Sequence, residues 1–222
     1  MFPERPVVCI VTDRRRLVGE ELPFEAQRDA LVAMAEAARA AGVSLIQIRE
    51  RDLEAAQLAA LTAAVVGATR GSATRVVVND RLDVALASGA DGVHLRGDSI
   101  AAERVRALAP APFLIGRSVH GTAEARAQAG LVDYLIAGTV FPTPSKAGAP
   151  RLLSPSGLRE IADAVDVPVL AIGGVTIDRI PEVAAAGAAG IAAIGLFASG
   201  PPRISEVMQA ARTRFDTVRT AP

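Results

Sequence analysis

Aromatic side chains are scarce in this chain. Tryptophan is absent, tyrosine occurs once, and aromatics make up 3% of 222 residues that are otherwise 50% hydrophobic. A core of that composition has to be built from Ala, Val, Leu and Ile, and a chain of this length can bury a sizeable one. Cysteine is rarer still. The single Cys9 excludes an internal disulfide, and its neighbours Val8 and Ile10 mark it as a small core residue. Net charge is also missing: Lys+Arg and Asp+Glu balance at 24 each. No overall field then draws the chain to nucleic acid or to an anionic membrane, and any anion site has to be local. No apolar run reaches the length of a membrane span. The N-terminal Met1-Phe2-Pro3-Glu4-Arg5-Pro6 lacks the charged-then-apolar order of a signal peptide, so a cytoplasmic location is expected. A Gly-x-Gly-x-x-Gly phrase after the first apolar run is absent too, which argues against a doubly wound dinucleotide-binding sheet.

What is present is a repeated unit of short apolar run and helix-forming stretch. Val7 to Thr12 is continuously apolar, as expected of a strand covered on both faces, and is followed by the polar Asp13-Arg14-Arg15-Arg16 and an Ala-rich helix from about Phe24 to Ala40. The pattern recurs with Leu45–Arg49 and Leu53–Ala68, Arg75–Asn79 and Arg81–Ala87, Gly92–Leu95 and Ala101–Leu108, and Phe113–Gly116 and Thr122–Ala129. It continues with Tyr134–Ala137 and Pro155–Ala164, Pro168–Ile172 and Asp178–Ala185, and Gly190–Ile194 with a last helix from about Ile204 to Arg219. Gly42, Gly89, Gly130 and Gly187 each close a helix just before an apolar run, which supports one helix-to-strand turn used repeatedly. Eight such units predict an α/β fold, a single-domain (β/α)8 TIM barrel over residues 1–222.

In such a barrel the C-terminal ends of all strands open on one face, which carries the active site. The polar residues at these ends are Gln47, Arg49, Glu50 and Arg51; Asn79 and Asp80; His94, Arg96, Asp98 and Ser99; Arg117, Ser118 and His120; and Thr143, Ser145 and Lys146. Gly173-Gly174 and Ile194-Gly195 follow the last two strands. Their backbone amides can approach a phosphate there, or the glycines serve only the tight turns. The loop Thr139 to Lys146 packs prolines, hydroxyls and a lysine behind an apolar run, which suits an anionic oxygen ligand and also suits a surface turn. Asp80 offers hard oxygen to Mg²⁺ or caps the helix that starts near Arg81. His94 lies between apolar neighbours as a packed histidine, whereas His120 stands where proton transfer near neutral pH is available or where a helix simply begins. Arg14-Arg15-Arg16 reads as a solvated loop that can also help to hold an anion.

Several ordered phrases together bring a family into view: Gln47-Ile48-Arg49-Glu50-Arg51, Val78-Asn79-Asp80-Arg81, Ala90 to Leu95, Ser118-Val119-His120, Val140 to Lys146 and Ala171 to Val175. Along essentially its whole length the chain resembles the thiamine phosphate synthase and thiazole tautomerase superfamily. The resemblance implies a transferase that condenses an aminopyrimidine methyl diphosphate with a thiazole phosphate, releasing pyrophosphate with Mg²⁺. It implies that Gln47, Arg49, Arg51 and Asn79 hold the pyrimidine diphosphate, with Ser118 beside them. Thr143, Ser145 and Lys146 would hold the pyrophosphate or the neighbouring thiazole phosphate, and Gly174, Ile194 and Gly195 the thiazole phosphate. Lys146, Arg49 and His120 are then the candidate catalytic groups. Asp80 would ligate Mg²⁺, with Asp98 as its candidate partner.

The chain departs from that pattern at three places. Arg51 stands where the family phrase ends in Lys, Ser99 where a second metal-binding Asp is expected, and Gly195 where the last strand ends in Ser. Asp98 lies one residue early for the missing carboxylate. The retained Thr143-Pro144-Ser145-Lys146 favours the synthase, while Arg96, Gly97 and Ser99 favour the tautomerase or a silent thiazole phosphate binder. The expected partners are small phosphate and diphosphate molecules, with neither nucleic acid nor membrane, and a homo-oligomer is compatible with the sequence.

Overall fold

The computed structural model describes residues 5–109, 111–143 and 152–219. The strands are β1 (Val7–Val11), β2 (Leu45–Ile48), β3 (Arg75–Asn79), β4 (Gly92–Leu95), β5 (Leu114–Val119), β6 (Tyr134–Gly138), β7 (Val169–Ile172) and β8 (Gly190–Ala193). They are all parallel and close in sequence order, with β1 pairing to β8, so the expected (β/α)8 barrel is what forms.

Alternation along each strand divides the buried residues into two cores. Val7, Cys9, Val11, Leu45, Val77, Leu114, Tyr134, Ile136, Leu170 and Ala192 fill the barrel interior. The opposite phase, including Val8, Ile10, Ile46, Val76, Val78, Val93, Ile115, Leu135 and Ile191, packs outward against the helices. The interior accepts one large side chain only because a glycine faces it. A Cβ on Gly116 would lie 2.1 Å from Tyr134 Cζ, so the ring occupies the space that Gly116 leaves. Cys9 is fully buried inside the barrel, and burial pushes its thiol far above the usual range, as suits an inert core residue.

The helices are α1 (Arg14–Val18), α2 (Phe24–Ala41), α3 (Ala55–Thr69), α4 (Leu82–Ser88), α5 (Ala102–Leu108), α6 (Thr122–Ala129), α7 (Ser154–Ala162), α8 (Ile180–Ala185) and α9 (Pro201–Arg219). Gly42 (φ 74°) and Gly89 (φ 69°) end α2 and α4 in the left-handed conformation, with the following amide reaching back to Ala38 O and Ala85 O. Gly130 is different, staying right-handed at φ −76°, so the third copy of the turn is not equivalent.

Two other expectations change. The arginine run is not a loop: it forms α1, capped by the Asp13 carboxylate, which accepts from Arg16 N at 3.0 Å. Arg14 is buried there because Glu50 (3.0 Å) and Asp52 (2.5 Å) neutralise it, and that bonding holds Asp52 down to about 2. β5 also runs on to Val119, which places Arg117 and Ser118 within the strand rather than after it.

Candidate active site

The C-terminal ends of the strands surround a cavity of about 1170 Å³. The period of two decides which rim residues enter it. Continuing the inward phase of each strand brings in Gln47, Arg49 and Arg51, then Asn79, His94 and Arg96, then Ser118 and His120, and finally Gly174 and Ile194. All of these line the cavity, with Asp98, Thr143 and Gly195. The opposite phase turns away. Glu50 accepts from Arg14, Arg117 donates to the carbonyls of Gly97 (3.0 Å) and Ile100 (3.3 Å), and Asp80 lies outside the lining. Arg117, read as a rim group, is thus a brace beneath the loop after β4.

At the floor of the cavity, Gln47 Nε2 donates to Asn79 Oδ1 at 3.0 Å. Gln47 is 3% exposed, and its Oε1 is buried with no hydrogen-bond partner among the described residues. A buried carbonyl oxygen left unpaired is costly unless a ligand supplies the donor. Beside it, His94 Nε2 lies 2.9 Å from Ser118 Oγ and Nδ1 lies 3.2 Å from the Tyr134 hydroxyl. A neutral imidazole donates through one nitrogen and accepts through the other. Burial, and then the charge of Arg117, lower the His94 pKa to about 3, so the ring stays neutral and serves as a packed, hydrogen-bonded support.

Above the floor the cavity is cationic. Arg16, Arg49, Arg51, Arg96, Arg179 and Arg203 line it, against Asp13, Asp98 and Glu206. Arg203 pairs with Glu206 and Arg96 with Asp98, so part of this charge is answered internally. Arg49 forms no ion pair among the described residues: burial, and then the charge of Arg51, lower its pKa, with Asp13 and Glu50 offsetting only part of this, so an approaching anion favours its charged form. Arg49 N is fixed by Thr12 Oγ1 at 2.9 Å, and Glu50 is locked to Arg14. These contacts hold the segment that carries Arg49 and Arg51.

On the far side, Gly174 has φ 64°, and a Cβ there would meet Pro142 O at 2.5 Å. The turn therefore requires glycine for backbone reasons alone. Arg179 donates to Gly174 O at 2.8 Å and lies 4.8 Å from the centroid of the Phe141 ring. Gly195 starts a 3₁₀ turn (Gly195–Phe197), and the Arg16 guanidinium lies 3.4 Å from where its Cβ would be. The hydroxyl missing at Gly195 thus faces a cation from the opposite end of the chain. Arg179 and Arg203 carry no sequence signal, because a charge at a helix start is usually a solvated one. Arg16 was half legible, as part of an arginine run leaving a strand end.

His120 precedes α6. Its amide donates to Glu124 Oε2 at 2.8 Å and its Nδ1 lies 3.4 Å from the same oxygen. It lines the cavity and stands two residues before the first residue of α6. Asp80 does not cap α4, whose N-terminus has no side-chain cap. Its Oδ1 instead accepts from Ser99 Oγ, and its Oδ2 lies 3.5 Å from Arg96 Nη1. Asp98 is 71% exposed and bound to Arg96 Nη2 at 2.5 Å. Among the described residues no group of three or more His, Cys, Asp or Glu could hold a metal ion. Ser145 and Lys146 lie outside the described residues.

Fold and cavity together define a (β/α)8 barrel with an arginine-rich site at the rim where such barrels act. The family model of thiamine monophosphate synthase matches residues 12–197, so the chain belongs to that family. It is 42% identical over 189 residues to a thiamine-phosphate synthase of Methanoregula boonei, covering 85% of this chain and 86% of that one. A thiamine-phosphate synthase of Roseiflexus castenholzii is 41% identical over 205 residues, covering 90% and 85%. Among solved structures, thiamine phosphate pyrophosphorylase from Pyrococcus furiosus superposes with a TM-score of 0.77 at 31% identity, covering 96% of both chains. No helix among the described residues is long and apolar enough to cross a membrane.

Proposed function

We propose that this protein is a thiamine phosphate synthase, joining an aminopyrimidine methyl diphosphate to a thiazole phosphate. The thiazole nitrogen forms a bond to the pyrimidine methylene carbon as the carbon–oxygen bond to the diphosphate breaks, and pyrophosphate leaves with the bonding electron pair. The observation that carries the reading is Gln47 Oε1, unpartnered among the described residues, beside Asn79 in the cavity that Arg49 and Arg51 also line. An aminopyrimidine supplies the N–H donor that this oxygen lacks, and its diphosphate answers the destabilised guanidinium above it.

The chain's own residues then have distinct tasks. Gln47 and Asn79 orient the ring, and His94 holds Ser118 toward the cavity. Arg49 and Arg51 neutralise charge that grows on the departing pyrophosphate, where fixed cations act most strongly. Lys146, the chain's one lysine, joins them by family resemblance, with Thr143 and Ser145. Arg16 with the Gly174 and Gly195 turns receives the thiazole phosphate. The magnesium implied by the family does not fit the residues as they stand. Both oxygens of Asp80 are engaged, and Asp98 is turned to Arg96. No step above is routed through it. A cytoplasmic location and free small-molecule substrates accompany this reading.

Purified protein, given both substrates and Mg²⁺, is expected to form thiamine phosphate and release pyrophosphate. No turnover above background overturns the proposal. Lys146→Ala is expected to abolish release with the fold intact. His120, which lines the cavity and lies beside Glu124, favours proton transfer on a thiazole carboxylate phosphate as the second reading. Tautomerase turnover that survives His120→Asn would exclude that histidine as its base.

A further inference from the structure

Asp80 is held in place before any ligand arrives. Its backbone is left-handed (φ 65°), its amide donates to His94 O at 2.9 Å, and Arg81 N donates to Asn79 O at 2.8 Å. The carboxylate therefore has little freedom to seek partners. Both of its oxygens are engaged by the loop after β4. Ser99 Oγ accepts from Arg96 N at 2.7 Å, which directs its own proton to Asp80 Oδ1. The Arg96 guanidinium bridges the other oxygen, at 3.5 Å, and Asp98 Oδ2, at 2.5 Å.

A divalent ion needs several free oxygen ligands. Here it would meet one carboxylate already engaged on both oxygens and a positive charge in the space between the two acids. We propose that Arg96 is a resident competitor at Asp80, an organic cation that neutralises this carboxylate in the ligand-free protein and weakens divalent-ion binding there. The inference concerns the protein without substrate, so a failure of the synthase assay leaves it standing and its own failure leaves the assay untouched.

The test is titration with Mn²⁺, read as loss of the electron paramagnetic resonance signal of the free ion, on the whole protein and on folded variants checked by circular dichroism. Arg96→Gln is expected to tighten one Mn²⁺ site about tenfold, because an attractive carboxylate is released and a repelling charge removed. The gain is expected to disappear in Arg96→Gln combined with Asp80→Asn. Arg96→Lys, which keeps the charge, is expected to bind Mn²⁺ as the parent does. Ser99→Ala, which frees only Oδ1, is expected to give a smaller gain and provides a second route if Arg96→Gln does not fold. Equal Mn²⁺ affinity in the parent, Arg96→Gln and Ser99→Ala, or a gain that survives loss of the Asp80 carboxylate, overturns the inference.

Discussion

Gln47 Nε2 donates to Asn79 Oδ1 at 3.0 Å across the neighbouring strands β2 and β3, and this bond leaves Gln47 Oε1 buried and unpaired among the described residues. Gln47→Leu removes the acceptor proposed for the pyrimidine while keeping the side chain's bulk. The loss of one buried hydrogen bond predicts a rise in KM for the aminopyrimidine diphosphate of about 10- to 100-fold. The KM for the thiazole phosphate should stay within about twofold, because the bond concerned touches only one substrate. A variant with parental KM for the pyrimidine would remove Gln47 from the ring site.

Arg49 is held at the rim at a cost, since burial and the neighbouring Arg51 both disfavour its charge. Arg49→Met should therefore leave the thermal midpoint unchanged or raise it, while kcat/KM falls by about 100- to 1,000-fold as a charge on the leaving group goes unanswered. Melting curves and pyrophosphate release measured on one preparation separate the two effects. A variant that is both destabilised and fully active would contradict the assignment.

Arg16 stands beside Gly195, where the family pattern has a serine. Arg16→Ala should raise KM for the thiazole phosphate by about tenfold and weaken inorganic phosphate as an inhibitor, with little change for the pyrimidine partner. Steady-state kinetics with each substrate varied in turn would show which partner is affected.

His94 titrates at about 3 because it is buried, with Arg117 contributing next. Above about pH 6.5 the ring is neutral in both folded and unfolded chains; below it the unfolded chain binds a proton that the folded one refuses, so stability falls as pH falls. Between about pH 6.5 and 5 the slope from this residue approaches about 1.4 kcal/mol per pH unit. Urea unfolding across that range should show the slope in the parent and a flatter dependence in His94→Gln.

Gly116→Ala forces a methyl group to within 2.1 Å of Tyr134 Cζ in the barrel interior. Overpacking of this kind costs about 1–3 kcal/mol, read as a lower urea midpoint with an unchanged m-value.

Much of this was legible in order and period alone. The run Val7 to Thr12 was recognisable as a two-face-buried strand, and the phrase ending in Gly42 as a helix stop, because both signals are local. Element ends moved where a neighbour decided them. β5 extends to Val119 because Ser118 and Val119 pair in register with Ile136 and Ala137. Arg14 looked solvated because its neutralising partners, Glu50 and Asp52, belong to a different strand-helix unit. At the site, Gln47, Arg49, Arg51, Asn79, Ser118 and His120 could be named from strand ends, yet Arg117 could not be separated from them until the true end of β5 set its phase.

The sequence by itself determined the barrel, its strand order, the rim that carries polar groups and the family, since all of these follow from periodicity and ordered phrases along one dimension. Only the tertiary structure decided that Gln47 Oε1 is left without a partner among the described residues, that Arg16 meets Gly195, and that Arg96 and Ser99 close on Asp80. Each of these is a distance between residues far apart in the chain or on separate turns, fixed by barrel closure and by which side of a strand a residue occupies.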